Sequence, residues 1–222
     1  MYPSEPWDLR GQMYLSVFAV PRAALAPLPA PLAATAPAGR PGGSPSAVRL
    51  VSVGGRALVG AAWVSYEPGG VLQYRELLAA VLTHERGRPR VTITEIWVDS
   101  VASRDGGREL WGIPKDLAEL TVSPATASAA GIAGAVFSRG VRLPGRWPTD
   151  MRLAQALKGE ICRTPVRGRA GVRLGRATWR FDPAGPLGYL RGRRPLLTVT
   201  LADFRLRFGA VSPHSHPAAD GR

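Results

Sequence analysis

The chain has 222 residues, of which 45% are hydrophobic, so it can bury the core of one large domain or two small ones. Its net charge is +13, but the arginines are scattered and show neither zinc-finger spacing nor an RRM-like aromatic motif. Solvated surface arginines are therefore the simpler interpretation. This pattern does not favour nucleic-acid binding, which is kept as a remote alternative. No apolar run reaches the roughly 18–20 residues of a membrane helix, no signal-peptide pattern is present, and the single Cys162 excludes an internal disulfide, so we expect a cytoplasmic protein without a membrane partner.

Short β-like segments separated by glycine and proline dominate the sequence. The predicted strands are residues 13–20, 48–53, 57–66, 71–82, 90–98, 119–122, 132–137, 171–181 and 195–208. Helices are predicted over residues 99–110 and 150–157, the second with Thr149 or Asp150 as its N-cap.

Two further segments have loop-like composition. Residues 21–46, rich in Ala, Pro and Gly, predict a surface loop with one helical turn in their first part, and residues 211–222 predict a flexible tail. The whole pattern predicts one mainly β (α+β) domain over residues 1–210, in which curved antiparallel sheets protect their edges in a barrel or sandwich.

Lysine is rare in this chain. Lysine and arginine total 29, and only Lys115 and Lys158 are lysines. Arginine supplies charge equally well, but its guanidinium stays protonated and cannot act as a nucleophilic amine. A neutral lysine amine attacks a ketone to form an imine, provided that its ordinary pKa of about 10.4 is lowered, as burial in an apolar pocket does. Residues 111–114 (Trp-Gly-Ile-Pro) supply apolar neighbours, and Trp111 is a candidate wall of the site. From residue types alone, an exposed Lys115 paired with Asp116 is the simpler interpretation.

The sequence around Lys115 favours the functional interpretation. GRELWGIPKDL, residues 107–117, resembles the signature of the acetoacetate decarboxylase family: Gly-Arg-Glu-Leu, a short spacer, then Pro-Lys. Upstream, GGVLQYRELLAAVL resembles the family segment in which a Tyr-x-Glu motif supplies an active-site carboxylate. The tyrosine and glutamate of this motif correspond to Tyr74 and Glu76. LRGQMYLSVF resembles the family's first strand, entered through an active-site arginine, which corresponds to Arg10. The resemblance spans residues 9–208.

This resemblance implies a fold, a chemistry and an assembly. The fold is a mostly antiparallel β structure curled into a cone or barrel with the lysine inside. The activity is that of a lyase that forms a Schiff base with a small keto acid. The protein would act without a cofactor or metal and would assemble as a homo-oligomer. Lys115 would be the nucleophile and electron sink, Glu76 would move protons, and Arg10 would clamp the substrate carboxylate. Tyr74 and Trp111 would contact the substrate.

The sequence departs from the family pattern at two places. Asp116 stands where the family's decarboxylases have a second lysine, and a carboxylate there would raise the amine pKa rather than lower it. If residues 115 and 116 lie on a strand, they face opposite sides, and desolvation alone must lower that pKa. A second family carboxylate falls on Ala61 by ungapped counting. Decarboxylation and aldol–dehydration chemistry therefore both stay open.

Two non-catalytic interpretations remain, together with one structural expectation. One alternative is a member of the same fold that binds a small molecule without catalytic activity. A more remote alternative is a basic nucleic-acid-binding protein.

The three histidines, His84, His214 and His216, do not suggest a metal site. Arg108 and Glu109 are expected to form a buried ion pair that holds the turn.

Overall fold

The computed structural model describes residues 1–33 and 48–210 of the chain. The predicted tail and residues 34–46 of the predicted loop lie outside these ranges. The strands are β1 (Trp7–Pro21), β2 (Val48–Leu50), β3 (Ser52–Val53), β4 (Arg56–Tyr66), β5 (Tyr74–Glu85), β6 (Arg88–Val98), β7 (Lys115–Leu117), β8 (Leu120–Val122), β9 (Thr126–Ala129), β10 (Ala133–Arg142), β11 (Trp147–Pro148), β12 (Met151–Leu157), β13 (Glu160–Phe181) and β14 (Leu197–Phe208). The helices are α1 (Ala30–Ala33) and α2 (Val101–Trp111), with single 3-10 turns at Arg22–Ala24 and Gly188–Leu190.

Seven strands form a closed ring of pairings. Their order is β12-β6-β5-β4-β1-β14-β13, and β13 pairs back onto β12. Neighbours in the ring are antiparallel except β6 and β12, which meet in parallel through one bridge, Leu153 with Val91. Because β13 has 22 residues, its second half extends beyond the ring and pairs with β10, which continues into β9 and β8. The predicted mainly β, curved fold is thus confirmed.

Side chains pack on both faces of β1, which explains its apolar run over residues 13–20. Side chains alternate between faces along a strand. Trp7 and Leu9 pack inside the ring, whereas Tyr14, Phe18 and Val20 pack outside it against the β8–β10 extension. The two faces therefore belong to two separate hydrophobic clusters, and the candidate functional residues belong with the inner one.

The side chain of Gln155 reinforces the pairing of β6 with β12, here called the seam of the ring. Gln155 in β12 accepts a hydrogen bond from the backbone N–H of Ile93 (2.9 Å) and donates one to its carbonyl (3.1 Å). The buried amide thus takes the place of a strand neighbour where β6 and β12 share only one backbone bridge.

The two predicted helices have different outcomes. The helix predicted over residues 99–110 is confirmed as α2, which Ser100 caps by accepting a hydrogen bond from Ser103 N–H and which ends at Gly112 in the left-handed conformation. The helix predicted over 150–157 is wrong, because this segment is β12. It pairs with β13 at every position from Met151 to Leu157, and this tertiary pairing overrides helix propensity.

Candidate active site

Three elements bring the candidate residues together at one end of the ring. Lys115 begins β7, which runs parallel to β6 with Lys115 beside Ile96. Glu76 lies near the start of β5, opposite Val98 of β6. In the β4–β5 hairpin, Tyr66 pairs with Tyr74, so both tyrosines lie next to the glutamate.

The amine of Lys115 is buried and makes three side-chain hydrogen bonds. It donates to Glu76 Oε2 (2.9 Å), to Ser103 Oγ (2.9 Å) and to Tyr74 OH (3.3 Å). Tyr66 OH donates to the other carboxylate oxygen of Glu76 at 3.2 Å, and its ring stacks on that of Tyr74 with centroids 4.3 Å apart. Lys115 is 4% exposed and Glu76 2%, so the ion pair is shielded from water.

Gly107 of the Gly-Arg-Glu-Leu sequence makes room for the lysine. A Cβ atom at this position would stand 2.7 Å from Lys115 Cδ and 2.9 Å from Cε. Ser103 lies one helical turn earlier on the same face of α2. The helix therefore offers an open channel for the lysine stem and, one turn away, a hydroxyl for its amine.

The cavity at the amine is small and mostly apolar. Its volume is about 30 Å³, and its walls include Trp7, Leu9, Ile93, Ile96, Trp111, Ile113 and Phe208, together with Lys115, Glu76, Tyr66 and Tyr74. Trp111 packs edge-on against Trp7, with centroids 4.8 Å apart, and donates to Glu5 Oε2 at 3.2 Å. This volume suits water molecules but not a keto acid.

The electrostatics of Lys115 differ from the sequence expectation. Burial acts to lower the pKa of Lys115, but the charge of Glu76, the Tyr74 hydroxyl and the hydrogen bonds to both outweigh it, so the pKa is raised. Burial also raises the pKa of Tyr74, although Lys115 opposes that change. Desolvation does not act alone, because the buried amine faces a carboxylate.

Asp116 lies away from the amine, on the other side of β7. It is exposed and forms an ion pair with Arg108, whose Nε also donates to the Lys115 carbonyl at 2.5 Å. The expected Arg108–Glu109 ion pair is wrong, since Glu109 instead accepts a hydrogen bond from Tyr2 OH at 2.8 Å. The simpler interpretation, an exposed lysine paired with Asp116, is also wrong. The Arg108–Asp116 pair anchors the turn that presents Lys115.

Arg10 is not brought to the lysine. Trp7 and Leu9 point inside the ring, so Arg10 faces outward by strand alternation. It lines a separate groove with Arg167 and Arg205, and its Nη2 lies 3.8 Å from Asp203 Oδ1. The structure thus groups Lys115, Glu76, Tyr74 and Trp111 and leaves Arg10 apart.

Two contacts of the lysine–glutamate pair were missed by sequence reasoning, although each had a signal. Tyr66 follows from the hairpin register, because pairing Tyr74 with the end of β4 places the two tyrosines side by side. Ser103 follows from its spacing of four residues before Gly107 on a predicted helix. Neither residue belongs to the quoted motif.

No second carboxylate lies beside Lys115 at the position suggested by counting. Ala61 is fully buried on the outer face of the ring, in the cluster that includes Trp63 and Phe18. The half-buried Glu95 of β6 contacts Thr94 and accepts a hydrogen bond from Tyr189 OH at 3.2 Å. Burial raises the pKa of Glu95. Glu95 lines a different cavity, of about 280 Å³, whose walls do not include Lys115.

The described ranges contain neither a cluster of metal-binding side chains nor a membrane-spanning helix. Across residues 1–33 and 48–210, no group of three or more His, Cys, Asp or Glu side chains is arranged to hold a metal ion. In the same part of the chain, no helix has the length and apolar character needed to cross a membrane.

The fold resembles several solved structures at low sequence identity. An acetoacetate decarboxylase from Legionella pneumophila matches with a TM-score of 0.62 and 16% identity, covering 95% of this chain and 89% of its own. An acetoacetate decarboxylase-like enzyme from Sphingomonas wittichii matches with a TM-score of 0.57 and 18% identity, covering 94% and 92%. The enduracididine biosynthesis enzyme MppR, complexed with pyruvate, matches with a TM-score of 0.57 and 17% identity, covering 94% and 90%. The chain therefore has the acetoacetate decarboxylase-like fold.

The sequence itself establishes the family. The acetoacetate decarboxylase family model matches residues 10–144, more than half of the chain, including Lys115 and Glu76. A search of the curated proteins found no match. The chain belongs to the acetoacetate decarboxylase family, whose members among the structural neighbours are enzymes.

Proposed function

We propose that this protein is a lyase that forms a Schiff base between Lys115 and a small keto acid. The observation that carries the proposal is the buried contact of 2.9 Å between the Lys115 amine and Glu76, in a pocket otherwise walled mainly by apolar and aromatic side chains. Membership of the acetoacetate decarboxylase family supports it, as does the likeness in fold to MppR complexed with pyruvate.

In the proposed reaction, Glu76 generates the nucleophile. Transfer of one proton from the Lys115 ammonium to the carboxylate produces a neutral amine and a neutral acid, a pair that a low-dielectric pocket tolerates well. The amine then attacks the substrate carbonyl, and a proton moves from nitrogen to oxygen to give a carbinolamine. Glu76 returns its proton to the departing hydroxyl, water leaves, and a protonated imine remains beside the Glu76 carboxylate.

The neighbouring hydroxyls position these two groups. Tyr66 donates to Glu76 Oε1 and leaves Oε2 directed at the amine, while Ser103 Oγ accepts from the amine on another side. The imine then serves as an electron sink. It accepts the electron pair of a breaking bond to carboxylate, releasing CO₂, or that of a Cα–H bond whose proton passes to Glu76, giving an enamine for aldol condensation.

Product assays with matched lysine variants test this function. The protein is incubated with acetoacetate, with CO₂ as the product measured, and with pyruvate plus an aromatic aldehyde, with the condensation product measured. We expect at least one product from the wild type, its loss in Lys115→Met, and its retention in Lys158→Met, since Lys158 is exposed in a turn. Product formation that survives Lys115→Met contradicts the proposal. Keto-acid binding without any product in all three proteins supports the non-catalytic alternative.

A further inference from the structure

The interior of the seven-stranded ring contains a second, larger cavity, here called the lumen. Its volume is about 380 Å³, and β1, β4, β5, β6, β12, β13 and β14 all contribute to its walls. Most wall residues are aliphatic, among them Met13, Leu15, Leu78, Ala80, Leu153 and Leu206. A cavity of this size and character is typical of a binding site for a small organic molecule.

We propose that the lumen binds an apolar tail of the substrate, so that a keto acid with an alkyl chain or aromatic group binds more tightly than one as small as pyruvate. This inference rests on the Schiff-base function proposed above and specifies its substrate class. The space at the lysine, about 30 Å³, does not accommodate such a molecule by itself. The lumen supplies the volume that the lysine cavity lacks.

The two cavities adjoin at the lysine end of the ring. Four residues line both cavities: Tyr66, Glu76, Ile93 and Phe208. A displacement of the Ile93 and Phe208 side chains would connect the two cavities. A carbonyl group that reaches Lys115 by this route leaves its substituent in the lumen.

The distribution of polarity fixes the orientation of the substrate. Glu76 is the one charged residue among the lumen walls in the described part of the chain, and Tyr66 carries the other polar group of note, both at the lysine end. Those walls contain no arginine, lysine or histidine to hold a carboxylate. The acid and carbonyl groups therefore stay near Lys115 and the tyrosine hydroxyls, and the apolar part points away from them.

The far end of the lumen gives an entrance. Leu58 and Met151 line it there and are 37% and 36% exposed, so the apolar walls reach the surface of the described chain. Leu58 and Tyr66 are eight residues apart on β4, which corresponds to about 26 Å along the strand. This depth accommodates a tail of several carbon atoms.

A chain-length series tests the proposal on the wild-type protein. Dissociation constants are measured by calorimetry for straight-chain 2-oxo acids from three to eight carbons, and covalent capture is measured by intact mass after borohydride reduction. Each added methylene that enters the lumen is expected to tighten binding roughly threefold to fourfold. 1-Octanol, which has no carbonyl, is expected to bind alone and to compete with 2-oxooctanoate. Equal affinity along the series, or octanol that neither binds nor competes, overturns the proposal.

A lumen-filling variant and a matched control locate the binding. Ala62 is buried and lines the lumen, whereas Ala130 is exposed in the turn after β9. We expect Ala62→Leu to weaken 2-oxooctanoate and octanol at least tenfold and Ala130→Leu to change neither. Equal behaviour of the two variants, with both shown by thermal unfolding to be folded, contradicts a site in the lumen. Octanol binding that responds to Ala62→Leu without capture of any oxo acid on Lys115 supports the lumen site and refutes the Schiff-base function.

Discussion

Lys115 is held in its protonated form by a single neighbouring carboxylate, although its surroundings are apolar. Burial acts to lower its pKa, and the interactions with Glu76 and Tyr74 reverse the sign of the shift. The raised pKa means that the resting amine is charged at neutral pH. In the proposed reaction, the amine therefore becomes reactive by transfer of its proton to Glu76 rather than by loss of the proton to bulk water.

Replacement of Glu76 by glutamine tests this coupling. In Glu76→Gln the carboxylate is gone while burial remains, so the pKa of Lys115 should fall, and the pH midpoint for its labelling by a carbonyl reagent should move down. Turnover should fall even so, because the proton acceptor is missing. Glu119→Gln, at an exposed glutamate, is the control. An unchanged or higher midpoint in Glu76→Gln would show that the carboxylate does not set the amine pKa.

Gly107 offers a second test, because its two effects have opposite signs. Gly→Ala within a helix normally stabilises by up to about 1 kcal/mol. Here the new Cβ would meet the Lys115 stem at 2.7 Å. In the Lys115→Ala background we expect Gly107→Ala to increase the free energy of unfolding, and in the wild type to decrease it. The coupling from a double-mutant cycle in urea should be about 1 kcal/mol or more, and a value near zero would show that the glycine is not retained for the lysine.

At the residue level, the motif predicted more than composition did. The quoted segments identified Lys115, Glu76 and Tyr74, and the apolar neighbours of the lysine identified Trp111; all four line the lysine cavity. The motif did not predict the sign of the pKa shift, which depends on a distance between β5 and β7. Arg10 was assigned from resemblance. The predicted first strand began at residue 13, whereas β1 begins at Trp7, and alternation along this longer strand turns Arg10 outward.

At the scale of elements, the seam between β6 and β12 depends on one side chain. Gln155→Leu should leave the buried N–H and C=O of Ile93 without these partners, which should cost about 2–4 kcal/mol of unfolding free energy. Urea denaturation measures this, with Gln73→Leu at an exposed position as the control. A loss no larger than that of the control would mean that the seam closes without the glutamine.

Glu85 links β5 to β13 and gives a pH-dependent contribution to stability. Hydrogen bonds from Arg163, at 3.0 Å and 3.1 Å from its Nε, lower the pKa of Glu85 below its ordinary value of about 4.3, and Arg90 adds to the effect. A carboxyl group with a lowered pKa stabilises the folded state at pH values above its pKa in the unfolded chain. This contribution to stability is lost as the pH falls through the pKa of the folded state.

Glu85→Gln should therefore lower the free energy of unfolding at pH 7 by about 1–2 kcal/mol. This range is reduced because Arg163 is partly exposed and solvent weakens its interaction with Glu85. The difference from wild type should shrink as the pH falls below about 4. Thermal unfolding across pH 3–7 measures it, with exposed Glu160→Gln as the control. A difference that stays constant across this range would contradict the linkage.

Strands β4, β5 and β6 were easier to predict than β12, for which the sequence predicted a helix. β4 and β6 are rich in β-branched and aromatic residues, and turn signals separate β4, β5 and β6, so their positions follow from local sequence. The segment 150–157 contains strong helix formers and becomes β12 only because β13 pairs with it. That information lies in the partner strand and not in the segment.

At the scale of the whole molecule, ring closure joins distant parts of the chain. β1 pairs with β14, so Trp7 lies opposite Phe208, and both side chains line the lysine cavity. Composition and turn spacing predicted a β fold that protects its edges, but not which strands are neighbours. Strand order is set by contacts of high sequence separation, which local patterns do not encode. Lys115 and its hydrogen-bond partners come from residues 74–115, whereas the lumen needs all seven strands.

Imine formation at Lys115 is directly measurable because the sequence contains only two lysines. The wild-type protein is incubated with a 2-oxo acid, reduced with borohydride, digested and mapped by mass spectrometry, with exposed Lys158 as the internal control. We expect an adduct on the peptide that contains Lys115 and none on the peptide that contains Lys158. Labelling of Lys158 alone, equal labelling of both lysines, or no adduct on Lys115 would contradict it.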